Sequence, residues 1–268
     1  MRKLFLIACI AMLVSSCGKS FLEPNDDSQG SRKPVLSRIL VGTQVSSEFS
    51  YDAKWRLVKI TRYMSPGSTA IGSETVYRYD DAGRLVKVET AVNISSSSTS
   101  PQYVQSYAEM VYDAGNSWKE TRNYNLVSGA AQYVSKGVTE YNADGRLSSV
   151  TVFAANSTSP ANKSVYRYNS QGNVVSDQFF QYNSGLSGPT NENFYEYDQQ
   201  KNPYLGTWVM PFGANVNNIT KITSNNYLSA PGAPANPVVT TTTYKTYNAS
   251  GYPLQLTENG VDYTYEYK

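Results

Sequence analysis

The chain has 268 residues, with 23 basic and 21 acidic side chains, no histidine and a formal charge of +2. Two cysteines are too few for a disulfide framework, and a near-neutral chain lacks the basic footprint that binds nucleic acid. With 23 tyrosines against 8 Phe and 3 Trp, and no long periodic Leu/Ala/Glu-rich stretch, the composition predicts an all-β chain with polar turns.

The first element is a secretory leader. Arg2 and Lys3 precede an apolar run from Leu4 to Val14, which falls well short of the about 20 residues a spanning helix needs. The run ends Leu13-Val14-Ser15-Ser16-Cys17, small residues directly before a cysteine, and so resembles the bacterial lipobox. The resemblance implies cleavage after residue 16 and lipidation of Cys17. Each buried methylene contributes roughly 0.8 kcal/mol, so two or three acyl chains hold a protein on a membrane that it does not cross. The leader removes Cys9, Arg2 and Lys3, leaving a mature chain of zero formal charge whose one thiol is lipidated. Residues 17–33 are polar and turn-rich and read as a flexible tether. Glu23, Asp26 and Asp27 in it resemble the acidic residues that follow the lipidated cysteine in surface lipoproteins of the Bacteroidota. The expected location is the cell envelope, at the outer membrane, either periplasmic or surface-exposed.

Residues 34–268 read as one domain built on a repeat. Its core is Tyr-Asp/Asn-x-x-Gly-x-Leu/Val, with key tyrosines at 51, 79, 112, 141, 168, 197 and 247. The gaps are 28, 33, 29, 27, 29 and 50 residues, the last reading as two periods with one motif lost. Asp52, Asp80, Asp113, Asn142, Asn169, Asp198 and Asn248 start a turn by bonding their own backbone. Gly83, Gly115, Gly145, Gly172 and Gly251 supply the positive φ that closes a tight hairpin. The flanks alternate: Val58 and Ile60 oppose Lys59 and Thr61, and Val86 and Val88 oppose Lys87 and Glu89. Longer Ser/Gly/Pro/Asn-rich connections lie at residues 65–73, 93–102, 154–162 and 183–190. The expectation is an antiparallel up-and-down meander of about sixteen strands, with tight turns at one end and loops at the other. It curls or closes into a barrel, because an open sheet of that length would leave two bare edges.

The Tyr-Asp-x-x-Gly-Arg-Leu unit resembles the Rhs/YD repeat. The span from Pro34 to Lys268 resembles a class of Bacteroidota lipoproteins that carry a domain of unknown function, porin-like in fold. Asn202-Pro203-Tyr204-Leu205-Gly206 and the strand beginning Asn217-Asn218-Ile219-Thr220 match elements of that class. Three units depart from the pattern: Trp55 and Lys201 replace the turn glycine, and the third unit reads one residue short.

Chemistry is sparse. Histidine triads and histidine metal sites are excluded, and no Gly-x-Ser-x-Gly elbow or phosphate loop occurs. Asp52, Asp80, Asp113 and Asp198 are the visible carboxylates for hydrolytic chemistry, but a residue recurring at one turn position is explained by the turn. No catalytic residue, metal or cofactor is expected. Tyr77 and Tyr79, Tyr166 and Tyr168, and Tyr195 and Tyr197 are spaced by two, so each pair shares a strand face. They are either an aromatic binding face for glycans or a ladder of cross-strand pairs cementing the sheet. The functional expectation is a membrane-anchored, non-catalytic binding module for a glycan or another envelope protein. The alternatives are an outer-membrane-type barrel or a structural envelope protein, and least of all a carboxylate-dependent hydrolase.

Overall fold

A computed structural model describes residues 33–95, 102–207, 215–228 and 235–268. The leader, Cys17 and the tether up to residue 32 lie outside the described residues. Sixteen strands follow one another around a closed barrel, each antiparallel to the next. They are β1 (Leu36–Val41), β2 (Gln44–Tyr51), β3 (Leu57–Tyr63), β4 (Ile71–Tyr79), β5 (Leu85–Asn93), β6 (Tyr103–Tyr112), β7 (Trp118–Val127) and β8 (Ala130–Tyr141). The second half is β9 (Leu147–Ala154), β10 (Pro160–Tyr168), β11 (Val174–Gln181), β12 (Asn191–Lys201), β13 (Asn217–Asn226), β14 (Ala235–Tyr247), β15 (Pro253–Glu258) and β16 (Val261–Tyr267). β16 returns to β1, with Ile39 opposite Tyr265 and Val41 opposite Tyr263. The Val35 and Lys268 amides exchange hydrogen bonds of 3.2 and 3.1 Å beside that seam. Closure removes the edges that would template aggregation.

Six of the seven Tyr-Asp/Asn units close the same turn. In the second, Asp80 N–H donates to the Arg84 carbonyl and Gly83 N–H to the Asp80 carbonyl, both at 2.9 Å. The Asp80 Oδ1 then accepts the Arg84 N–H at 2.9 Å. The fourth turn residue is left-handed every time, with φ 84° at Gly83, 76° at Gly145, 96° at Gly172 and 83° at Gly251.

The two irregular turns hold the same backbone with other residues. In the third unit the left-handed position is Asn116 (φ 65°), not Gly115, so the unit has full length and Gly115 is not its turn glycine. Asparagine tolerates this region better than most residues because its short polar side chain can bond locally. In the first unit Trp55 takes the position at φ 59°, with its ring stacked on Tyr51 at 6.3 Å.

The sixth unit corrects the sequence reading further. Asp198 closes no hairpin: β12 continues to Lys201, and the chain leaves the sheet before β13. The gap of 50 residues is therefore a single period of two strands, β13 and β14, lengthened by its connections. At the opposite end three connections are two-residue hairpins rather than loops: 42–43, 128–129 and 259–260. Ser128-Gly129 and Asn259-Gly260 each have two consecutive positive φ values, the type I′ geometry that matches strand twist.

Each tight turn is followed by a β-bulge, which breaks the expected alternation. Tyr79 pairs with Leu85 but Arg78 with Lys87, leaving Val86 as the extra residue. The same shift occurs opposite Tyr51, Tyr112, Tyr141, Tyr168 and Tyr247. A bulge puts two residues against one and re-aims the strand. Leu85 and Val88 are consequently both buried, as are Leu57 and Ile60, Leu147 and Val150, and Pro253 and Leu256. Val58 and Val86 are only half-buried. The apolar spacing at the start of β3, β5, β9 and β15 is three, not two.

A methyl group on Gly145 meets no atom within 4 Å, so Gly145→Ala isolates the cost of the left-handed backbone. Denaturant unfolding should show a loss of about 1–2 kcal/mol. Gly188→Ala, equally open but without positive φ, should change stability by less than about 0.5 kcal/mol.

Candidate functional site

The turn end is sealed. The first residue of successive odd strands points into the barrel, and Leu36, Leu85, Trp118, Leu147 and Val174 are each 1% exposed or less. The motif tyrosines lock this layer. The Tyr51 hydroxyl donates to the Leu36 carbonyl, Tyr79 to Leu57 and Tyr112 to Leu85, each at 2.8 Å. Tyr141 donates to Trp118 at 2.6 Å, Tyr267 to Pro253 at 2.7 Å, and Tyr197 to Val174. Every acceptor opens an odd strand, so each hydroxyl ties the end of one hairpin to its beginning. Tyr267, the last strand residue, acts as an eighth motif tyrosine. The sequence hid it because no Asp-x-x-Gly follows.

The motif arginines bind the units sideways. The Arg56 guanidinium pairs with Asp52 at 2.6 Å and lies 4.5 Å over the Tyr79 ring of the next unit. Arg84 repeats this with Asp80 at 2.7 Å and Tyr112 at 5.0 Å. Burial alone would raise the Asp52 carboxyl, but the Arg56 amide and guanidinium hold it below the usual carboxylate range. Asp113 and the asparagines Asn142, Asn169 and Asn248 accept turn amides in the same way. Asp198 instead takes the Asn218 side-chain amide and the Tyr247 hydroxyl, each at 2.9 Å. The carboxylates considered for hydrolysis are thus committed to turns and clamps.

The six tyrosines weighed as an aromatic binding face are interior. Tyr77 and Tyr195 are 6% and 8% exposed. Tyr79 packs on the main core cluster, and Tyr166, Tyr168 and Tyr197 pack around Val174, Tyr195 and Ile219. The rings of Tyr77 and Tyr195 offer no platform to a sugar, while half-buried Tyr166 and Tyr168 also line an open depression with Asn142, Arg146 and Asn169. Burial pushes the Tyr77 and Tyr204 hydroxyls up to about 12 and drives those of Tyr79, Tyr112 and Tyr197 upward too. On the outer wall a different set, Tyr107, Tyr124 and Tyr133, forms a cross-strand ladder with centroids 4.6 and 5.5 Å apart. The Tyr107 and Tyr124 faces turn toward each other, as sheet cement does.

Residues 202–207, just after β12, form an internal plug. Asn202 N–H donates to the Val216 carbonyl at 3.1 Å and its side-chain amide to the Asn215 carbonyl at 2.8 Å. Fully buried Asn173 accepts the amides of Val216 and Asn217, and buried Asn215 accepts the Val174 amide. This asparagine cluster seats Tyr204 against Phe49 and Tyr265, with ring centroids 6.2 and 6.3 Å away. The sequence marked residues 202–206 only as a family-like motif; their place inside the barrel was not legible.

Above the plug lies a cavity of about 230 Å³. Ile39, Ile219, Ile222 and Leu256 form its apolar wall, Tyr204, Tyr244 and Tyr265 its floor, and Ser46, Ser47, Thr242, Glu258 and Tyr263 its upper side. Inward positions grow polar toward the loop end. Thr75, Thr90 and Ser106 form one continuous ladder row, and the Asn123 side chain donates to Ser135 at 3.1 Å.

The outer wall carries cross-strand ion pairs around most of its circumference. They include Arg38–Glu266 at 2.7 Å, Lys59–Glu74 at 3.2 Å, Arg78–Glu89 at 2.6 Å, Lys163–Glu140 at 3.2 Å, Lys221–Glu196 at 2.7 Å and Lys245–Asp262 at 2.7 Å. Among the described residues, no three His, Cys, Asp or Glu side chains cluster as metal ligands do.

Two measurements check the tyrosine layer. Tyr112→Phe strips the donor from the buried Leu85 carbonyl and should cost about 1–3 kcal/mol, whereas Tyr182→Phe, on a ring 53% exposed, should cost little. Because the folded values lie above the ordinary value near 10, the stabilisation is intact below pH ~10 and is lost as pH rises through the folded values. Phenolate absorbance should therefore show the buried set ionising together with alkaline unfolding.

No family model matches the chain, and no curated protein does. Solved structures are similar in fold. A porin-like protein from Bacteroides vulgatus aligns at 11% identity and TM-score 0.48, over 87% of this chain and 99% of its own. A porin-like protein from Bacteroides uniformis aligns at 11% identity and TM-score 0.43, over 87% and 98%. The Photorhabdus luminescens Tc holotoxin pore carrying TccC3 aligns at 10% identity and TM-score 0.23, over 80% of this chain and 14% of that one. The chain's own strands establish it as an all-β, sixteen-stranded closed barrel.

Proposed function

We propose that this barrel is a blind-ended binding cup of the cell envelope, tethered through Cys17 and not a pore. The observation that carries the reading is the asymmetry of the lumen. Buried side chains, the tyrosine layer and the Asn202–Tyr204 plug fill the turn end. A cavity with polar upper walls lies above them. The outer wall supports the same reading. A transmembrane barrel presents an apolar band about 25 Å tall to lipid, where an exposed Arg or Lys near mid-depth costs roughly 2–4 kcal/mol. Here charged pairs recur from strand to strand, with Lys221–Glu196 in the middle of its two strands. β1 starts at the sealed end, so a tether through residues 17–33 would leave from there and turn the mouth away from the membrane. The lipid-anchored envelope location stands on the lipobox of the sequence.

A second reading, an outer-membrane-type barrel, draws on the closed, even-numbered, up-and-down topology. Two experiments separate them. The mature chain without its acyl groups should be monodisperse in buffer without detergent, and the acylated protein should give no ion conductance in planar bilayers. Stepwise conductance would establish the pore and end the cup. In cells, Cys17→Ala should release the protein from the membrane fraction; unchanged membrane association would remove the anchor from the account.

A further inference from the structure

The charges inside the barrel differ from those outside. Outer-wall acids and bases largely answer one another in ion pairs. Three inward charges do not, and of these Asp177 is held by the Tyr195 hydroxyl and the Asn193 amide and is not part of the cavity wall. Glu258 lines the cavity and has the Thr242 hydroxyl, at 3.2 Å, as its hydrogen-bond donor among the described residues. Arg62 pairs across the ladder with cavity-lining Ser47 on one side and with Ser73 on the other, which sets it on the inner face. Its guanidinium makes no ion pair among the described residues, and both Arg62 and Glu258 act electrostatically on the plug ring Tyr204. Glu258 thus lines the cavity, and Arg62, an inward base, stands one ladder position beyond its Ser47 wall; both are solvent-reached and neither makes an ion pair among the described residues.

The remaining polar groups narrow the ligand. Deep in the cavity they are committed to the protein: the Tyr244 hydroxyl to the Ile219 carbonyl, Tyr204 to Tyr265, Asn202 to Asn215, and Asn218 to Asp198. What faces an occupant there is hydrocarbon and ring surface from Ile219, Ile222, Leu256 and Tyr265. A neutral polyol would strip water from its hydroxyls in that half and find few free partners, which costs affinity. A simple cation would meet Arg62, and a simple anion Glu258. The volume of about 230 Å³ lies below the roughly 300–1,000 Å³ of drug-sized pockets and limits the occupant to a small molecule.

We propose that the cavity binds a small zwitterion of the free amino-acid class, with an apolar side chain seated on Ile219, Leu256 and Tyr265, its ammonium toward Glu258 and its carboxylate toward Arg62. The inference rests on the cup reading and adds the ligand class to it. Binding is reversible and involves no covalent step.

The test is calorimetric titration of the full mature chain with phenylalanine, phenethylamine, 3-phenylpropionate and glucose. Phenylalanine should bind, with the amine and the acid each roughly tenfold or more weaker. Glu258→Gln should abolish the preference of phenylalanine over 3-phenylpropionate, and Arg62→Gln its preference over phenethylamine. Glu196→Gln, on the outer wall, should leave binding unchanged. Unaltered melting of each variant would exclude misfolding, and a merely structural role would not move one preference without the other. Absence of phenylalanine binding, or equal weakening of all ligands by both variants, would overturn the proposal. Glucose binding with phenylalanine inert would overturn the ligand class and leave the cup standing, whereas ion conductance would overturn both.

Discussion

The fold depends on a hydrogen bond repeated around one end of the barrel: a tyrosine hydroxyl capping the carbonyl that opens the neighbouring odd strand. The strand start lies where the bulge diverts the ladder, and the hydroxyl supplies its carbonyl with a donor there. A buried carbonyl left bare costs about 1–3 kcal/mol. Phenylalanine would fill the same space without meeting that need, which accounts for tyrosine at 51, 79, 112, 141, 197 and 267. The Asp–Arg pair and the cation over the next ring complete the unit. Each repeat thereby holds the one before it through a hydroxyl and the one after it through a guanidinium.

That local chemistry makes the molecule asymmetric. Bulges place Leu85 and Val88, or Leu57 and Ile60, on the inside together and concentrate apolar volume at the turn end. Farther up each strand the inward positions fall to Ser, Thr and Asn, and the lumen becomes wet. The plug uses neutral asparagines where it crosses the interior, because an amide can satisfy a backbone donor and acceptor at once without the desolvation cost of a charge. On the outside, cross-strand ion pairs add little stability individually, but they give most of the wall a charged surface.

Much of this architecture was legible in the sequence. The spacing of Tyr51, Tyr79, Tyr112, Tyr141 and Tyr168 counts the hairpins, and the edge argument requires closure. The rest was hidden for identifiable reasons. A motif search keyed to glycine passes over Asn116 and Trp55, because left-handed backbone is a conformation and not a residue type. The bulges shift apolar spacing from two to three, so Val58 and Val86 look like inward residues until the register is known. Period-two spacing says that Tyr77 and Tyr79 share a face but not which face is inside. The cavity draws on β1, β2 and β13 to β16, strands far apart in the chain that only closure brings together.

The central claim is that one end of the barrel is locked by its tyrosine–carbonyl layer while the other is open. Amide hydrogen exchange followed peptide by peptide tests it most directly. The account predicts that amides of the turn end, such as Asp80, Gly83 and Arg84, exchange only with global unfolding, whereas those of Glu258 to Val261 and the other loop-end connections exchange by local opening. Uniform protection along the strands, or faster exchange at the turn end, would contradict it.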